Sequence, residues 1–102
     1  MSTITDSYQF TVPVTQHGIA TIQQPVVYPS TVEKNTPFDI SYTIKNTGAV
    51  SDNLYGHLLV SGLEVTGSYW TQNVAVNATV TKTYTCSGIA ANTTFILECG
   101  HL

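Results

Sequence analysis

Apolar and polar residues alternate along most of this chain, and nowhere do they fall into the i, i+3, i+4, i+7 stripe of an amphipathic helix. The clearest case is Phe38-Asp39-Ile40-Ser41-Tyr42-Thr43-Ile44-Lys45, with Phe38, Ile40, Tyr42 and Ile44 on one face. Such a segment predicts a half-buried strand with a wet outer face. It runs into Asn46-Thr47-Gly48, where Asn and Gly tolerate left-handed backbone angles. Leu54 to Ser61 is apolar on both faces, which predicts a central strand. Gly62 and Gly67 bracket a short segment around Leu63 and Val65, and Tyr69 to Val76 predicts a weaker strand or a sheet-crossing connection. Thr79 to Cys86 places Val80, Tyr84 and Cys86 opposite four threonines, and Thr93 to Cys99 aligns Phe95, Leu97 and Cys99. Upstream, Val26, Tyr28 and Val32 with Pro25 and Pro29 predict an edge strand, where proline is tolerated. Short strands with turn signals every 8–12 residues predict an all-β, two-sheet antiparallel β-sandwich. The expected core is Phe38, Ile40, Tyr42, Ile44, Leu58, Val60, Val80, Tyr84, Phe95 and Leu97.

The first 20 residues stand apart. Tyr8, Phe10, Val12 and Val14 alternate with Gln9, Thr11 and Pro13, which predicts another strand, and Gly18 breaks it. The later segments already fill a sandwich, so residues 1–20 form an N-terminal arm or extra strand and residues 21–102 the sandwich. The arm either pairs within its own chain or adds to the sheet edge of a neighbour, a common recognition mode.

Charged residues are 9% of the chain, there is no Arg, and Lys34, Lys45 and Lys82 are the only Lys residues. That argues against nucleic acid, whose binding draws on many Lys/Arg contacts to phosphate, and against a polybasic membrane patch. No apolar run approaches the roughly 20 residues of a spanning helix, so no membrane insertion is expected. MSTITDSYQF lacks a basic start and an apolar core, so no signal peptide is expected. Thr occurs 17 times and Val 11 times, a β-sheet composition.

The segment Val26 to Cys99 resembles the CARDB-type immunoglobulin-like modules of archaea and bacteria. The residues that carry the likeness are Tyr28-Pro29, Val32-Glu33-Lys34-Asn35-Thr36-Pro37-Phe38 and Ile40 to Gly48 with its Asn-x-Gly turn. Asn35 stands where the family has Gly, and Asn can take the same left-handed angles. Asn77-Ala78 stands where a Pro-Gly turn is usual. The resemblance implies an immunoglobulin-like sandwich acting as a spacer, adhesion or assembly module, with no enzymatic activity.

The candidate chemistry is sparse. His17, His57 and His101 fall in different segments, no G-x-S-x-G elbow occurs, and the six carboxylates are scattered, so no catalytic residues are assigned. If residues 79–99 form a hairpin, Cys86 faces Thr93 and Cys99 lies six residues further along, about 20 Å away. A disulfide needs Cα atoms within about 7 Å, so two buried thiols are expected. Cys99-x-His101 offers only one ligand pair where structural zinc takes four ligands, so no metal and no other cofactor is expected. Tyr55, Tyr69 and Trp70 are the candidate binding aromatics, although the core is the favoured place for Trp70. Asn77-Ala78-Thr79 and Asn92-Thr93-Thr94 are glycosylation sequons in predicted turns.

A Thr-rich, charge-poor β surface without an export signal suits a protein that assembles inside a cell and ends outside it. The expectation is therefore a non-enzymatic structural protein of a virion surface, of decoration or minor-capsid type. Its partners would be itself, through Tyr8, Phe10, Val12 and Val14, or a capsid or surface-layer subunit. The alternative is an extracellular adhesion module that binds protein or carbohydrate.

Overall fold

The computed structural model describes residues 2–102; Met1, the first residue of the expected arm, lies outside them. The described residues form seven strands: β1 (Ala20–Val27), β2 (Phe38–Asn46), β3 (Asp52–Val60), β4 (Leu63–Glu64), β5 (Trp70–Val74), β6 (Thr79–Cys86) and β7 (Ile96–His101). One sheet has the order β1-β2-β6. In the other, β3 is flanked by β7 on one side and by β5 and the short β4 on the other. All pairings are antiparallel, and the protein is an all-β, two-sheet β-sandwich. No helix occurs among the described residues, hence none long and apolar enough to cross a membrane.

The inward residues of β2, namely Ile40, Tyr42 and Ile44, pack against Leu54 and Leu58 of β3, with Val74 and Val80 completing the buried cluster. Phe38, Tyr84, Phe95 and Leu97 of the expected core are half-buried around it. Val60, expected there, is not part of the cluster; it lies at the lower end of β3, paired with Leu63 of the two-residue β4. Leu54 and Val74 take core positions instead. Part of the threonine content lies on the outer face of the first sheet. Thr43 bonds Thr81 at 2.9 Å, Thr83 donates to Ser41 at 3.1 Å, and Thr85 donates to Asp39 at 2.6 Å. These are cross-strand pairs, the unit of sheet stabilisation.

Three expectations need correction. Residues 79–86 and 93–99 form no hairpin: β6 pairs with β2 and β7 with β3, so the connection crosses between sheets. Alternation defines a strand's two faces but not its neighbour. The edge strand is Ala20–Val27 rather than a segment centred on Tyr28; Pro25 sits at a register break and Pro29 follows the strand's end. The turn after β2 does not use left-handed angles, whereas Asn35 (φ 58°) and Asn77 (φ 64°) do.

With Asn46 and Asp52 at the upper end of the sandwich and Phe38 and Ile96 at the lower, the arm leaves from the upper end. The molecule measures 84 × 26 × 22 Å, with a radius of gyration of 21.5 Å. A compact chain of this length has about 13 Å. The excess is the arm, which stands off the body.

Candidate functional site

The arm takes no sheet partner in its own chain. Residues 2–17 are exposed and outside any strand, with Tyr8 86%, Phe10 71%, Val12 75% and Val14 82% accessible. An apolar stripe of this kind in water is unstable unless something covers it. Within the arm Tyr8 and Phe10 stack at 5.9 Å, and the Ser7 N–H donates to Asp6 Oδ1 at 2.8 Å.

The arm's root, by contrast, is held firmly. The Gly18 N–H donates to Asp52 Oδ2 at 2.8 Å and the Ile19 N–H to Asn46 Oδ1 at 3.2 Å. Gly18 is buried, so the expected flexible break there is an anchor. The backbone runs across Gly48, where a Cβ would lie 2.7 Å from the Ile19 nitrogen and 2.8 Å from the His17 oxygen. Only glycine fits beneath the root. Asn46 is fully buried; besides Ile19 its Oδ1 accepts from Gly48, and its Nδ2 donates to the Val50 and Val74 carbonyls.

His17, Asp52 and His101 come from three distant segments, and one ligand atom of each lies within 4.8 Å of the others. The sequence reading kept these histidines apart; here their rings stack at 4.1 Å with planes 6° apart. Imidazole lone pairs lie in the ring plane, so two parallel rings cannot aim at one ion as they stand. Asp52 is also committed to the backbone: the N–H groups of Gly18 and Asn53 hold its carboxyl below the ordinary value, with His101 and His17 adding to the effect. The cluster caps the arm's root and is not preformed for a metal. Cys99 takes no part; its Sγ points to the Ala20 carbonyl at 3.5 Å.

The outer face of the second sheet gathers Tyr55, His57 and Tyr69. Tyr55 stacks on Tyr69 at 5.9 Å, and His57 sits edge-on to both. Two carboxylates that appear scattered in the sequence meet here: His57 Nδ1 lies 2.6 Å from Glu64 and Nε2 2.9 Å from Glu98. These bonds raise the His57 pKa, Glu64 contributing most. An imidazolium donating from both nitrogens has no lone pair left to act as a base. Through Glu64 and Glu98, His57 ties β4, β3 and β7 together. Trp70 faces the other way. It packs on the core, and its Nε1 donates to the Tyr42 hydroxyl at 2.7 Å. Gly56 makes room for it, since a Cβ there would lie 2.7 Å from the indole nitrogen. Asn77 and Asn92 of the two sequons are both exposed.

The two long seams of the sandwich differ. On the β5/β6 side, Lys82 points inward, its ammonium 5.1 Å from the Trp70 ring centre and bonded to Gln72 Oε1 at 2.9 Å. On the β1/β7 side the seam is open at the lower end. A groove of about 720 Å³ lies there, lined by Val26, Tyr28, Phe38, Leu58, Phe95 and Leu97 among others, with Lys34 its one charged residue. Phe38 and Phe95 meet edge to face at 6.2 Å in it. The sequence carried no signal for this groove, which depends on how the sheets are paired.

No family model, no curated protein and no solved structure matches this chain.

Proposed function

We infer that this protein is a non-enzymatic assembly module that joins a larger structure through its N-terminal arm. The observation that carries this reading is the exposed stripe Tyr8, Phe10, Val12 and Val14 on a segment rooted to the sandwich but unpaired within it. An extended segment with one apolar face gains a covered face and backbone partners when it adds to a sheet edge on another subunit. The setting we propose is a virion surface, as a decoration or minor-capsid-type protein. A Thr-rich outer sheet and 9% charge support it, because weak charge repulsion suits a surface partly covered by neighbours. The resemblance to CARDB-type modules favours the same kind of role.

The test compares the full chain with residues 17–102 by light scattering and sedimentation. All buried residues lie from Gly18 onward, so the shortened chain retains its core. Self-association of the full chain, lost on deletion, is expected. A full chain that is monomeric, or a deletion that associates equally well, overturns the reading. A second reading, an adhesion module, is favoured by the stacked Tyr55 and Tyr69 beside His57 and two carboxylates, which suits a sugar or peptide. Loss of glycan or host-cell binding on Tyr69→Ala would support it.

A further inference from the structure

We propose that the groove at the β1/β7 seam is the receptor for residues 8–14 of a second copy, whose arm lies along the free edge of β7. The inference rests on the assembly reading above and adds the place and the polarity of the joint.

β7 pairs only with β3, so its outer edge has no strand beside it among the described residues. In an immunoglobulin-like sandwich ordered as here, that edge is the position of a further antiparallel strand. Its absence leaves Leu58 of the core and the half-buried Phe38, Phe95 and Leu97 lining an open groove. The arm has the shape of the missing part. Its apolar side chains recur every second residue, as an inserted strand requires, and Asp6 is its only charge. Pro13 lies out of phase with Phe10, Val12 and Val14, so its missing N–H falls on the edge away from β7 if those residues bond to it. Tyr8 and Phe10 alone would cover about 150–250 Å² each, a large share of the ~800 Å² per partner of a stable interface.

The rest of the surface points to the same place. β1 is disqualified as the docking edge by Pro25 and its register break. The opposite seam is guarded by the inward Lys82, a device that blocks added strands. A chain's own arm cannot pair antiparallel with its own β7. Such pairing places Val14 at the lower end, while His17 is held at the upper end against His101. Three residues reach about 10 Å. The ends are separated by the eight steps from Phe38 to Asn46, about 26 Å. A second copy meets the requirement directly: the arm leaves the upper end of one body and enters the lower end of the next. The contact is head-to-tail, and closes into a ring or runs on as a chain.

The test uses full-length chains. Phe10→Asp disables the arm; Tyr28→Asp and Ala91→Arg obstruct the groove at exposed positions, so folding is kept and is checked by circular dichroism. Each is expected to weaken self-association at least tenfold by sedimentation. A synthetic peptide of residues 4–16 should bind the Phe10→Asp chain saturably by fluorescence anisotropy, and at least tenfold more weakly once Tyr28→Asp is added. Native-like association of both groove variants, with Phe10→Asp impaired, shows the arm docking elsewhere; the groove inference falls and the assembly reading stands. Native-like association of Phe10→Asp overturns both. A monomeric native chain whose arm resists protease has filled its own groove, and second-copy occupancy is overturned.

Discussion

Replacing Asn46 by Ala tests whether the upper end of the sandwich, and with it the arm's root, is held by one side chain. Asn46 is 0% exposed and makes four side-chain hydrogen bonds: from the Ile19 and Gly48 N–H groups, and to the Val50 and Val74 carbonyls. The bond to Val74 is buried, so its carbonyl cannot turn to water. Leaving a buried acceptor unsatisfied costs about 1–3 kcal/mol. The three part-buried bonds lose about 0.5–1.5 kcal/mol each, and less than additively where water enters. We expect a total of about 3–5 kcal/mol, a large part of the roughly 5–15 kcal/mol that holds an ordinary domain folded. At about 4–8 °C per kcal/mol the melting temperature should fall by more than about 12 °C. Urea unfolding followed by fluorescence of Trp70, the only tryptophan, measures it. Asn46→Asp is the control. It keeps the volume but presents an oxygen to two carbonyls, and should be at least as damaging. A loss below about 1 kcal/mol for the Ala variant, at unchanged m-value, refutes the account.

Two further predictions concern the titratable groups. The His57 pKa is raised in the folded state by Glu64 and Glu98, so its contribution to stability is full below about 6.5 and is lost as pH rises through the raised value. Urea midpoints should therefore fall above pH 6.5, and Glu98→Gln should flatten that slope; an unchanged slope rejects the tie. Cys86 and Cys99 are both free thiols, and burial pushes the Cys99 thiol up. Mass spectrometry of the denatured chain should show two thiol labels without prior reduction, and labelling of folded Cys99 at neutral pH should be slow; labels that appear only after reduction would mean a bridge.

Strand faces were legible in the sequence because alternation reports them directly, as in Phe38 to Lys45. Pairing was not. The cysteines illustrate the difference. Their separation was correctly anticipated, but from a hairpin that does not exist: Cys86 is opposite Phe38 at the lower end, and Cys99 touches Ala20 at the upper. The His57 cluster was hidden for the same reason, since Glu98 lies opposite it only once β7 pairs with β3. Asn46 was placed in a turn by its residue type, although its burial follows from three segments that converge on it.

In the proposed assembly the two seams together set the direction of growth. A β-sandwich with two open seams would accept strands on both sides and branch or aggregate. Here Lys82 closes one seam with a charge that must stay near Gln72 and the Trp70 face, so a strand entering there would bury an unpaired ammonium. The β1 edge is interrupted by Pro25. One accessible edge is left, at the end of the body farthest from the arm's root. One donor and one acceptor at opposite ends allow each copy two neighbours and no more. Growth is then linear or circular, never branched, and its length is set by how many copies offer a free arm. The same logic makes Phe10→Asp a chain terminator. A copy that can accept but not donate should cap native assemblies at one end, and adding it in excess should shorten them in proportion to its share of the mixture. If added Phe10→Asp chains leave assembly size unchanged while being incorporated, donor and acceptor are not the two ends of a single joint.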